Sequence, residues 1–111
     1  MKNKFDEILR EREKIWLDSF DLETDRLHSV WNKLENLIVK NMTETISFLR
    51  NECNEDEFRW MSEVFENVVK STQNHEFVDC IEYLENKFSD LCHMEPSVQE
   101  NIEYAKKALN N

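Results

Sequence analysis

Residues 58–88 read FRWMSEVFENVVKSTQNHEFVDCIEYLENKF. Phe58, Met61, Val64, Phe65 and Val68 recur at three- and four-residue spacing, which places them on one stripe of a helix. Phe77, Ile81, Leu84 and Phe88 form a second such stripe. Between the two lies Ser71-Thr72-Gln73-Asn74, a polar turn. Neither this stretch nor the rest of the 111 residues contains a glycine, and the one proline is Pro96. Glycine supplies the positive-φ positions of tight hairpins, so a multi-stranded sheet would be hard to turn in this chain. The expectation is an all-α fold: a single domain over residues 1–111, with five or six helices packed as antiparallel hairpins.

The pattern extends in both directions. Asn54 precedes Glu55, Asp56 and Glu57, an N-cap followed by three acids that suit the first turn of a helix over 55–70. A short helix over 43–52 is expected, capped by Thr43 and with Ile46 and Leu49 as its apolar residues. Further upstream, Phe5, Ile8, Leu9 and Trp16 make one stripe, with Ile15 beside it. Leu27, Val30, Trp31, Leu34, Leu37 and Ile38 make another. Helices over 3–18 and 25–40 follow, with a break near 19–24 where Ser19, Asp21 and Thr24 offer caps; one continuous bent helix is the alternative. Downstream, helix 75–88 gives way to a loop over 89–95. Pro96 then opens a last helix, with Ser97 and Glu100 spaced as a capping box and Val98, Ile102, Ala105 and Leu109 facing inward.

Charge divides the chain unequally. Residues 1–50 hold 9 Lys/Arg against 10 Asp/Glu, and residues 51–111 hold 5 against 14, so nearly all of the net −10 lies in the second half. An acidic balance disfavours nucleic acid and anionic membranes as ligands and favours a basic protein surface. Glu63, Glu66, Glu76, Asp79 and Glu82 fall off the apolar stripes of two helices. Solubility alone does not require one sign of charge to be concentrated in one half, so these acids are read as a surface for a cationic partner. Trp60 lies at the edge of its helix's apolar face, and it joins them as a contact anchor because tryptophan is enriched at binding hot spots.

The chemistry-bearing residues do not assemble into a familiar site. His75, Cys80, Cys92 and His93 lack the close ligand pairs of a zinc motif. Asp25-x-x-His28 and Asp90-x-x-His93 lack the Glu-x-x-His pairing of a di-metal bundle. No glycine-built phosphate or oxyanion loop is possible. No catalytic, cofactor-binding or metal residue is therefore expected. Three cysteines without framework spacing, no apolar leader and no run of about 20 apolar residues point to a cytoplasmic protein with reduced thiols in its core.

Residues 58–88 together with NIEYAKKAL at 101–109 resemble small all-helical immunity proteins of contact-dependent growth inhibition and other polymorphic bacterial toxin systems. In these a W-x-SE-x-F helix leads through a K-x-TQ turn to an EF-x-x-x-x-x-x-L helix. The matching positions are Trp60, Ser62, Glu63, Phe65, Lys70, Thr72, Gln73, Glu76, Phe77 and Leu84, with Ser71 as a departure in the turn. The first 50 residues carry no matching motif. The resemblance implies a non-enzymatic cytoplasmic protein that neutralises a cognate toxin domain, frequently a nuclease. The acidic half is compatible with that independently, because carboxylates on helices can occupy a phosphate-binding cleft. The alternative is a helical adaptor or nucleic-acid mimic that regulates a host nucleic-acid-binding protein.

Overall fold

The structure, a computed structural model, describes residues 2–17 and 24–110. Among them there is no strand. The helices are α1 (Lys2–Leu17), α2 (Thr24–Lys40), α3 (Met42–Asn51), α4 (Glu55–Met61), α5 (Phe65–Thr72), α6 (His75–Lys87), α7 (Ser89–Met94) and α8 (Pro96–Lys107). A 3-10 turn at Ser62–Val64 links α4 to α5. With α4, the turn and α5 taken as one interrupted rod, seven helices are described rather than five or six. The additional one is α7, where a loop over 89–95 was expected. Leu91 and Cys92 are buried, so this stretch folds to cover the core. Most of the break expected near 19–24 lies outside the described residues.

Local signals explain most of the boundaries. Asn54 caps α4 with a full capping box: its side-chain oxygen accepts from the Glu57 amide at 2.9 Å, and its own amide donates to Glu57 Oε1 at 2.9 Å. Asn74 caps α6 by accepting from the Phe77 amide at 2.9 Å. The turn between α5 and α6 is closed by Gln73 in the left-handed region (φ 49°, ψ 38°), the place where many helices use glycine. Its amide nitrogen donates to the carbonyls of Val69 and Ala108, and its oxygen accepts from the Asn110 amide. The αL cost at Gln73 is thus met by bonds that also secure the end of α8.

Two expected caps are displaced. α3 begins at Met42 after Asn41, so Thr43 sits inside the first turn, and no side chain caps the helix. α8 begins at Pro96 after Glu95, and Ser97 and Glu100 form no capping box. The Glu95 carboxylate is held instead by Arg59, 2.6 Å away.

The core is one apolar cluster to which α1 through α8 all contribute. A chain of ring contacts runs Phe77–Phe65–Phe58–Phe88, with centroids 5.6, 5.8 and 5.2 Å apart. Phe5 stacks on Phe48 at 4.8 Å and joins α1 to α3. α1 lies against α2 and α4. The other extensive contacts join helices distant in sequence: α5 with α8, and α3 with α6. The Cα radius of gyration, 13.3 Å, is that of one compact domain of this length. No helix among the described residues is long and apolar enough to cross a membrane.

Candidate functional site

The 3-10 turn positions the first candidate region. Ser62 Oγ donates back to the Arg59 carbonyl at 2.7 Å and accepts from Asn101 Nδ2 at 3.3 Å. Such back-bonding loosens the α-helical ladder and bends a helix. The bend presents Glu63 to α1 and α2 across the chain. Arg12 donates to Glu63 through Nε at 2.6 Å and through Nη2 at 2.8 Å, a two-pronged pair. Trp31 Nε1 donates to the same carboxylate at 3.1 Å. Arg12 is 8% exposed, so this is a largely enclosed ion pair.

These groups line a cavity of about 480 Å³. Its walls include Trp16, Trp31 and Trp60, which are all the tryptophans in the chain. Trp16 and Trp60 touch, with centroids 6.2 Å apart. The Arg12 guanidinium lies 4.5 Å from the Trp60 ring centroid, and that of Arg59 lies 5.9 Å from it. Arg59 bonds Glu95 and Asp56. Burial would lower the Arg59 pKa, but the hydrogen bonds it donates to these two carboxylates and their charges raise it. Two arginines thus face two glutamates, Glu63 and Glu95, and the lining is charge-balanced within a chain of net −10.

The second region is the exposed side of α6. Glu76, Asp79 and Glu82 are all exposed, and their i, i+3, i+6 spacing keeps them within one arc of the helix. None of the three forms an ion pair among the described residues. A cation on α8, Lys106, borders this arc. Its hydrogen bond from Nζ to Glu85, 2.9 Å, raises its pKa against the lowering effect of burial, and the charges of Glu85, Glu82 and Glu103 raise it further. Burial would push the Glu85 carboxyl up, but hydrogen bonds from Gln99 and Lys106 and the Lys106 charge hold it below its ordinary range.

The expected contact residues therefore separate. Trp60 and Glu63 belong to the cavity, and Glu63 is a fastened, partly buried carboxylate rather than a free surface acid. Glu66 pairs with Lys70 one turn along α5, at 3.2 Å. Glu76, Asp79 and Glu82 remain as an acidic arc. Sequence reasoning missed Arg12, Trp31 and Glu95 as partners in the cavity, and Glu85, Glu103 and Lys106 on the acidic side. The three tryptophans were the available hint. Arg12 gave none, because its partner is 51 residues away.

The three thiols are enclosed, whereas His75 and His93 are exposed. Cys53, Cys80 and Cys92 are free and buried. Burial pushes the Cys80 thiol up to about 11 despite the opposing charge of Arg50, and burial with the Glu85 charge raises Cys92. No group of three or more His, Cys, Asp or Glu side chains that could hold a metal ion occurs among the described residues. Comparison of the chain with protein-family models, with curated proteins and with solved structures returns no match.

Proposed function

We propose that the chain binds a cationic protein domain through the acidic arc of α6, and that it acts as the immunity partner of a bacterial toxin, a nuclease with a basic cleft. The observation that carries this reading is the set Glu76, Asp79 and Glu82, exposed on one side of α6 with no ion-pair partner among the described residues. Three like charges along one arc repel one another, and a basic surface relieves that repulsion on contact. Carboxylates so placed offer a nuclease cleft what a nucleic-acid backbone offers it, a row of negative charge. The resemblance of residues 58–88 to the immunity-protein pattern supports the choice of a toxin as the partner.

Binding of this kind is carried by electrostatics in its association rate. Association should slow as salt rises, because the screening length falls from about 10 Å at 0.1 M to about 3 Å at 1 M. The test is a protection assay against any toxin domain found encoded beside this gene, with two sets of charge reversals. Glu76→Lys, Asp79→Lys and Glu82→Lys should weaken protection while circular dichroism stays unchanged. Glu7→Lys and Glu11→Lys, on α1, should have little effect. Protection lost with the α1 reversals but kept with the α6 reversals would leave the acidic arc as a merely solvated face. Protein that fails to protect against any neighbouring toxin but captures a host nucleic-acid-binding protein would favour the adaptor alternative.

A further inference from the structure

We propose that the cavity between α1, α2, the bent rod and the start of α8 is a binding site for an uncharged planar aromatic molecule, which lies against the tryptophan walls and hydrogen-bonds at its edge to Ser97 and Asn101. The volume, about 480 Å³, lies within the range of small-molecule pockets and is ample for a two-ring compound. Three tryptophans drawn from α1, α2 and α4 give aromatic surface from separate elements. Trp16 remains 60% exposed although it borders the cavity, so aromatic surface is left uncovered there.

The charge pattern selects the guest. The Trp60 ring already has Arg12 and Arg59 as cationic neighbours, which oppose the entry of another cation. Both oxygens of Glu63 already accept from Arg12, and one of them also from Trp31, so that carboxylate is committed. An anion would have to displace Glu63 or Glu95 from its arginine, and breaking an enclosed pair is costly. A neutral ring avoids both penalties. Asn101 uses Nδ2 to reach Ser62, which leaves its side-chain oxygen to accept from a guest, and the exposed Ser97 hydroxyl lies on the same lining. This site is separate from the acidic arc and can be assayed without any toxin.

The test is titration of the intact protein with 2-naphthol, followed through the three indole N–H signals in nitrogen-edited NMR spectra. Saturable shifts of the Trp16, Trp31 and Trp60 signals are expected. Decahydro-2-naphthol, which keeps the size and hydroxyl but not the aromatic faces, should bind at least about tenfold more weakly, as expected when stacking on an aromatic wall is lost. The cation 1-naphthylmethylammonium and the anion 2-naphthoate should also bind more weakly than 2-naphthol. Trp16→Ala, at an exposed position, should weaken 2-naphthol by about tenfold with the fold intact. Asn101→Ala should narrow the preference for 2-naphthol over naphthalene. Failure of 2-naphthol to give saturable shifts, equal binding of the decahydro compound, or unchanged affinity in Trp16→Ala would each overturn the proposal.

Discussion

Glu63 shows how a side chain's role depends on a partner that local sequence does not reveal. It lies off its helix's apolar stripe and reads as a surface acid, yet the bend at Ser62–Val64 turns it onto Arg12 and Trp31. Glu63→Ala would leave the nearly buried Arg12 guanidinium and the Trp31 N–H without their acceptor, so a loss on the order of 1–3 kcal/mol is expected in urea unfolding. A double-mutant cycle with Arg12→Ala should give a coupling in the range of about 0.5–3 kcal/mol. A Glu63→Ala loss within about 0.5 kcal/mol of zero, typical of exposed positions, would contradict the pairing. The cysteines were easier to read, because three thiols without framework or ligand-pair spacing are read as small core residues. With Cys80 pushed up to about 11, its thiolate is scarce near neutrality, so a thiol reagent at pH 8 should label native protein far more slowly than urea-unfolded protein. Rapid labelling of Cys80 in the native state would show that it is accessible.

Helix ends were legible where the cap is local and obscure where tertiary contacts decide. Asn54 bonds an amide three residues ahead, so sequence alone locates it as a cap; Asn74 does the same at the end of the stretch read as a polar turn. Ser97 and Glu100 have the right spacing for a capping box, but the helix starts two residues early, at Pro96, and Glu95, in the cap position, is drawn to Arg59. The 3-10 turn escaped notice because the apolar spacing of Met61, Val64 and Phe65 fits a continuous helix equally well. Asn54→Ala should cost about 1 kcal/mol, since the Glu57 amide loses its acceptor. Phe65→Ala and Leu84→Ala remove fully buried side chains and should each cost about 2–5 kcal/mol in thermal or urea unfolding. A loss below about 1 kcal/mol at either position would conflict with that burial.

Over the whole molecule, the helical class and most of the core followed from the stripes, because periodic burial is a local property of sequence. Which helices meet did not follow: α5 against α8 and α3 against α6 are long-range choices that periodicity cannot encode. The acids of α6 were legible for the same reason as the core, whereas the cavity required four separate segments to come together. One long-range contact, Glu85 with Lys106, sets an expected pH response. Glu85 lies below its ordinary range, so its contribution is present above the ordinary carboxylate pKa, about 4.3, and is lost as pH falls through the lower folded value. Lys106 is raised, so its contribution is present below about 10.4 and is lost as pH rises through the folded value. Melting temperatures recorded from pH 7 to pH 2 should therefore fall less steeply in Glu85→Gln than in the unmodified protein, and identical profiles would remove Glu85 from the account. The convergence of all three tryptophans has a consequence for following folding by light. Their emission reports the corner where α1 docks, while far-ultraviolet dichroism averages over every helix. Coincident denaturation curves from the two signals would mean that α1 leaves only when the core melts. An emission curve that moves first would identify the N-terminal helix as a separately melting unit, released while the rest of the fold persists.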